Sequence, residues 1–240
     1  MLNKEGINIS TLEDPVEYQI KGVNQSQVRP IIGFSFATGL RSLLRQDPDV
    51  IMVGEIRDEE TAELAIHSAL TGHYVLSTLH TTDAPNTITR LVDMKVEPFL
   101  LGSTLHTVIA QRLARKICSN CKIEYKMPEE LISEIKKEIK DIGVDYIKTV
   151  IKDFDPEKPI FHSGKGCSRC GNTGYAGRVA LAEVLDINDK IKEIIFSGKK
   201  HLSLDEVRAS QKFVSIKQDG IIKVLQGMTT MEEVLRVIES

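Results

Sequence analysis

Through the first half of the chain, apolar positions recur with two different periods. Short apolar runs (Ile7 to Leu12, Val50 to Val53, and "HYVLSTLH" from His73) have the length and composition of buried strands. Between them, Phe36, Leu40, Leu43 and Leu44 recur at helical spacing until "QDPD" interrupts them. Asp58-Glu59-Glu60 reads as the acidic first turn of a second helix, with Ala62, Leu64, Ala65, Ala69 and Leu70 inside it and Gly72 at its end. Ala84 to Met94 predicts a third helix. "YQIKGVNQSQV", from Tyr18, alternates weakly and predicts a pair of strands joined at Gly22 or Asn24. Apolar strands separated by amphipathic helices predict an α/β fold whose mostly parallel sheet is covered on both faces.

After Cys118 the pattern changes. Pro128 to Ile151 is rich in Lys and Glu, with Leu131, Ile135, Ile139 and Ile142 spaced as on one helical stripe. This predicts a surface helix with Pro128 in its first turn. A Gly-rich stretch, "SGKGCSRCGNTGYAGR", follows. "VALAEVL" then predicts a strand, and Asn188 to Ser240 short helices separated at Gly198, Gly220 and Gly227. The expected organisation is a sheet-bearing part over 1–117, a cysteine-bearing element over 118–178 and a strand with a small helical region over 179–240.

Composition narrows the classes. With 240 residues, 41% hydrophobic and 27% charged, the chain can bury a sizeable core. Aromatics are 5% with no Trp, and the net charge is −3, so stacking on bases or capture of nucleic acid is not expected. No apolar run approaches the roughly 20 residues that cross a bilayer, and "MLNKEG" is too polar for a signal peptide. The expectation is a soluble cytoplasmic chain, held at a membrane only through a partner.

All four cysteines fall in two C-x-x-C pairs, Cys118 with Cys121 and Cys167 with Cys170. Without a secretion signal such pairs read as metal ligands before disulfides. Four thiolates complete a closed tetrahedral zinc site with no position left for water, so the expected Zn²⁺ is structural. Two unrelated thiol pairs are the bland alternative. Arg112, Arg115, Lys116, Lys122, Lys165, Arg169 and Arg178 cluster near the pairs. A nucleic-acid-binding zinc ribbon is therefore a competing reading, and a solvated rim on a zinc knuckle the plainer one.

Three predicted strand ends carry polar groups in succession. "STLEDPVEY" presents Glu13, Asp14 and Glu17, "IMVGEIRD" presents Glu55, and "VLSTLHTTDA" presents Ser77, Thr78, His80 and Asp83. Ligands of open parallel sheets bind at the carboxyl ends of the strands, where these groups would gather. Carboxylates with an imidazole suit a hydrated Mg²⁺ and a base that activates water. Each has a bland reading too: a turn at Glu13-Asp14-Pro15, a helix N-terminal acid at Glu55, a hydrogen-bonded core residue at His80.

These motifs together resemble the secretion ATPases of type II secretion and type IV pilus assembly, within the RecA-like P-loop class. "TLEDPVEY" is similar to that family's Asp box, "LLRQDPDVIMVGEIRDEETAELAIHSALTGH" to its atypical Walker B region, and "HYVLSTLHTTDA" to its His box. "QRLARKICSNC" with "GCSRCGNTGYAGR" resembles its tetracysteine zinc element. The resemblance implies Glu13 as the base polarising the attacking water, Glu55 as the Walker B carboxylate near Mg²⁺, and His80 at the γ-phosphate. Asp14, Glu17, Gly54 and Arg57 are implied around nucleotide and metal, with Gly54 standing where the usual Walker B aspartate would be. It further implies ATP, Mg²⁺ and Zn²⁺, a homo-hexamer, an inner-membrane platform protein as partner, and no nucleic acid.

One half of an ATP site is missing from these residues. A phosphate cradle needs G-x-x-x-x-G-K-[ST]; the Gly33 to Gly39 interval lacks the Lys, and "SGKG" at Ser163 and "SGKK" at Ser197 lack the first Gly and the hydroxyl. The chain is thus expected to be the C-terminal portion of such an ATPase, with an incomplete sheet, inactive alone. A non-catalytic assembly module is the alternative from a different class.

Overall fold

The structure is a computed structural model and describes residues 2–152 and 154–239. In chain order it contains β1 (Ile9–Glu13), β2 (Asn24–Gln27), α1 (Phe36–Leu43), β3 (Val50–Val53), α2 (Glu59–Leu70), β4 (Tyr74–Ser77), α3 (Ala84–Asp93) and α4 (Pro98–Thr104). Then come β5 (Thr107–Ile117), β6 (Lys122–Glu124), α5 (Glu129–Ile142), α6 (Val144–Val150), β7 (His162–Gly164) and β8 (Tyr175–Asp186). Four helices close the chain: α7 (Asp189–Phe196), α8 (Leu204–Ser210), α9 (Ile216–Leu225) and α10 (Met231–Ile238). Contacts divide these into two compact units, one of Met1–Val108 with Asp186–Gln211, the other of Ile109–Leu185 with Lys212–Ser240.

In the first unit a four-stranded sheet runs in the order β2-β1-β3-β4, with every neighbouring pair parallel. Its centre is apolar: Leu12, Ile51 and Val53 are fully buried. Side chains of Ser35, Asp58 and Asp83 cap α1, α2 and α3 by accepting from Thr38, Thr61 and Asn86 amides, which fixes where each helix leaves the sheet. The strand pattern predicts a sheet covered on both faces, and the cover is incomplete at β4. Tyr74 and Leu76 on β4 are 57% and 42% exposed, because β4 is an outer strand with β3 as its one neighbour among the described residues.

The expected strand pair after Tyr18 is a single strand. Tyr18 and Ile20 are exposed loop residues, and the polar "NQSQ" forms β2. Pairing with β1 supplies the backbone partners that make so polar a segment extended, while the Gln25 amide closes the loop, accepting from Ile20 N at 2.7 Å and donating to Tyr18 O at 3.0 Å.

In the second unit β5 pairs with β8, and β6 with β7 in antiparallel register. The predicted surface helix over 128–151 is two helices, interrupted at Gly143 with φ +91°. Nor does it lie only at the surface: Ile135, Ile139, Ile142 and Ile147 are buried, and α5 packs on α9, where Lys217 pairs with Glu134 at 2.6 Å and Glu138 at 3.2 Å. Gly220, expected to separate two helices, sits inside α9. A Cβ there would stand 2.6 Å from Val234 Cγ1, so this glycine serves the close crossing of α9 and α10.

Candidate functional site

Parallel pairing carries the strand ends of β1, β3 and β4 to one edge. The register Leu12↔Val53 and Val53↔Ser77 sets Glu13, Gly54 and Thr78 as successive residues across that edge. Backbone bonds continue the alignment past the strands, Gly54 N to Leu12 O at 2.7 Å and Ile56 N to Thr78 O at 2.9 Å. Thr78 Oγ1 donates to Gly54 O at 2.6 Å. The approach at Gly54 is so close that a Cβ would lie 2.9 Å from Leu12 O, leaving no room for a side chain.

Glu55 is buried at this edge. Its Oε2 accepts from Arg57 Nε at 2.6 Å and lies 3.1 Å from Nε2 of His80, whose side chain is 83% exposed. The hydrogen bond from Arg57 holds the Glu55 carboxyl below the usual carboxylate range; burial opposes this and His80 assists it. Arg57 is raised in turn, chiefly by Glu55, with Asp14 adding to the field. Glu13 is half-buried, and its Oε1 accepts from Thr11 Oγ1 at 2.6 Å and Gln25 Nε2 at 2.8 Å.

Six of the sequence-derived residues thus share one region: Glu13, Asp14, Gly54, Glu55, Arg57 and His80. Glu17, four residues after Glu13, is exposed, and its carboxylate makes no hydrogen bond or ion pair among the described residues. Asp83 is engaged as the cap of α3. Thr11 and Gln25 were absent from the expected set, although i and i+2 on a strand share a face and Thr11 is two residues before Glu13. Oxygen-rich carboxylates at a strand edge have the chemistry of a hard-cation site.

The four cysteines meet in the second unit. Their Sγ atoms all lie within 4.8 Å of one another, with Cys118 to Cys167 at 4.0 Å, Cys121 to Cys170 at 3.9 Å and Cys167 to Cys170 at 3.7 Å. A disulfide would bring a pair to about 2.05 Å, so all four are free thiols. Thiolates bound at about 2.3 Å around one tetrahedral ion stand about 3.8 Å apart, and this donor set fits zinc.

Local groups favour ionisation of two of the sulfurs, Cys167 and Cys170. The Asn120 amide donates to Cys167 Sγ at 3.4 Å and, with backbone amides, draws its thiol down to about 6. Cys170 is lowered because amides of Cys167 and Gly174, each 3.3 Å away, outweigh its burial. Burial pushes the Cys121 thiol up to about 12, as expected for a ligand that ionises only against a cation. Gly164 and Gly174 let the two limbs of the knuckle touch backbone to backbone; a Cβ on Gly164 would lie 2.1 Å from Gly174 O.

One residue assigned to the basic rim has another role. Arg115 is bound to Glu233, whose side chain is fully buried, through Nε at 2.9 Å, Nη2 at 2.7 Å and its own backbone amide at 3.0 Å. Arg236 binds the same carboxylate from one turn along α10, and the Arg115 guanidinium stacks 4.4 Å from the centre of the Tyr175 ring. These cations, Arg236 foremost, hold Glu233 at about 2 despite burial.

Comparison with known proteins defines the class to which this fold and site belong. The profile of the Type II/IV secretion system protein family matches residues 1–236, and the chain belongs to that family. It is 46% identical over 233 residues to the type IV pilus assembly ATPase PilB of Thermus thermophilus, covering 97% of this chain and 25% of that protein. It is 45% identical over 236 residues to type II secretion system protein E of Pseudomonas aeruginosa, covering 98% of this chain and 44% of that protein. Among solved structures, the pilus retraction motor PilT with bound ADP superimposes with a TM-score of 0.64 at 28% identity, over 98% of this chain and 54% of PilT. The chain therefore spans between a quarter and under a half of the length of these curated relatives.

Proposed function

We propose that this chain forms the water-activating side of an ATP site in a motor that drives pilin or pseudopilin assembly or protein export. In this reading Glu13 accepts a proton from the attacking water. Glu55, with Asp14 and the backbone at Gly54, would hold Mg²⁺, and His80 would contact the γ-phosphate. Arg57 balances the charge of Glu55, and Glu17 contributes with Asp14 around the nucleotide. Mg²⁺, when bound, would neutralise charge on the phosphates. The cysteine cluster holds a structural Zn²⁺ through Cys118, Cys121, Cys167 and Cys170. Functionally the parts are a partial RecA-like core over 1–117, the zinc element over 118–178 and a C-terminal region over 179–240. The assembled motor is a homo-hexamer, docked on a platform protein at the cytoplasmic face of the inner membrane.

One observation carries the reading: Glu13, Glu55 and His80 converge on the carboxyl edge of a parallel sheet, in a chain whose relatives are secretion and pilus ATPases. Carboxylates alone repel a polyphosphate, and these 240 residues contain no G-x-x-x-x-G-K-[ST] cradle, so the chain by itself neither holds Mg-ATP tightly nor turns it over. The experiment measures nucleotide affinity and ATPase rate for the chain alone and joined to a phosphate-binding strand and helix. Turnover is expected only in the joined protein. There Glu55→Gln and Glu13→Gln keep nucleotide binding and cut turnover by at least ~10²-fold, the scale of a lost general base or placed carboxylate. Hydrolysis by the chain alone, or full turnover in Glu55→Gln, overturns the assignment.

A further inference from the structure

We infer that Gln25 and Thr11 are positioning residues for Glu13, aiming one oxygen of its carboxylate at the attacking water; this rests on the assignment of Glu13 as the base. Thr11 and Glu13 are two apart on β1 and so project from the same face. Parallel register places Gln25 of β2 opposite Thr11, adding a third side chain to that face. All three meet at one atom: Glu13 Oε1 accepts from the Thr11 hydroxyl at 2.6 Å and from the Gln25 amide at 2.8 Å. Oε2 makes no hydrogen bond among the described residues, which leaves it as the oxygen free to take a proton.

The orientation of Gln25 is itself determined. Its Oε1 accepts from Ile20 N at 2.7 Å, and its Nε2 also donates to Tyr18 O at 3.0 Å. Flipping the amide would set oxygen against the Glu13 carboxylate and the Tyr18 carbonyl, and nitrogen against the Ile20 N–H, so one rotamer satisfies every partner. Thr11 is buried, 5% exposed, and its hydroxyl is spent on Glu13. A carboxylate clamped through one oxygen by two donors on rigid strands loses its rotational freedom before substrate arrives. Misplacing a reacting group by about 1 Å costs on the order of 10²-fold in rate, so this clamp has kinetic consequences.

The test uses the chain joined to a phosphate-binding strand and helix and reads kcat and KM for Mg-ATP separately. Gln25→Met and Thr11→Val, near-isosteres without the donors, are expected to lower kcat by about 10-fold or more, with KM within about twofold. Thr11→Ser, which restores the hydroxyl, is expected to recover most of the loss. In a Glu13→Gln background neither Gln25→Met nor Thr11→Val should reduce the residual rate further, because both act through Glu13. Equal losses with and without the Glu13 carboxylate overturn the inference, as does unchanged kcat in both variants while Glu13→Gln is inactive. If Gln25→Met fails to fold, the comparison of Thr11→Val with Thr11→Ser decides alone. Full turnover in Glu13→Gln instead removes the base assignment, and the inference with it.

Discussion

Arg57 donates to Oε2 of Glu55 at 2.6 Å, the oxygen that also lies 3.1 Å from His80 Nε2. One carboxylate oxygen thus meets a guanidinium and an imidazole, and the guanidinium is the larger influence holding Glu55 below the usual carboxylate range. A carboxyl with a depressed folded value adds stability that is present above its unfolded pKa, about 4.3. That stability disappears as pH falls through the lower folded value. Arg57→Ala should therefore melt below the wild-type chain at about pH 7 and converge with it toward about pH 3. Added salt should shrink the neutral-pH gap, because the Arg57 side chain is 64% exposed. A gap that is constant across pH assigns the loss to packing of the arginine stem.

Glu233 presents the same physics in a buried setting. Two half-exposed arginines and a backbone amide converge on a carboxylate with no exposed surface. Glu233→Ala strands those donors and is expected to cost about 1–3 kcal/mol in a denaturant titration, with Glu233→Gln recovering only part of it. Since the folded carboxyl sits at about 2, the contribution is whole above an ordinary carboxylate pKa and fades as pH falls toward 2. Equal stability of wild-type and Glu233→Ala at neutral pH contradicts this account.

Elemental analysis of metal-replete protein should find about one zinc per chain, and Cys118→Ser with Cys167→Ser should abolish it. Stripping the metal should speed amide exchange after Arg115, around 118–124 and 162–175, and leave β1, β3 and α2 unchanged, since the ion staples local loops. Zinc near zero in replete protein, or retained by the double variant, removes the metal assignment.

Much of the sheet was legible because burial writes itself into residue type. β1, β3, α1 and α2 follow from apolar spacing and from the acidic Asp58-Glu59-Glu60 turn, and the strand-end carboxylates follow from parallel order. β2 was not legible, since "NQSQ" carries no apolar signal and is extended by its pairing with β1. Arg115 reads as surface charge in sequence because its buried partner, Glu233, is more than a hundred residues away. Gly220 was misplaced for the same reason: its need is set by Val234 on another helix, which local sequence does not reveal. Gln25 escaped notice because only the register between two strands brings it to Glu13.

The sheet-bearing unit takes two of its helices, α7 and α8, from residues 186–211. Phe196 of α7 lies against α4, where a Cβ on Gly102 would stand 2.5 Å from its ring, and its ring centre is 5.8 Å from that of Phe99. On the ribosome, α4 emerges well before α7, with all of 109–185 made in between. At about 5–20 residues per second that interval is on the order of 4–15 seconds. Throughout it the α4 face stays bare, a target for chaperones and a hazard for aggregation. A messenger cut anywhere before the codon for Phe196 leaves that face without its aromatic cover, even when every residue of the strand edge has been made.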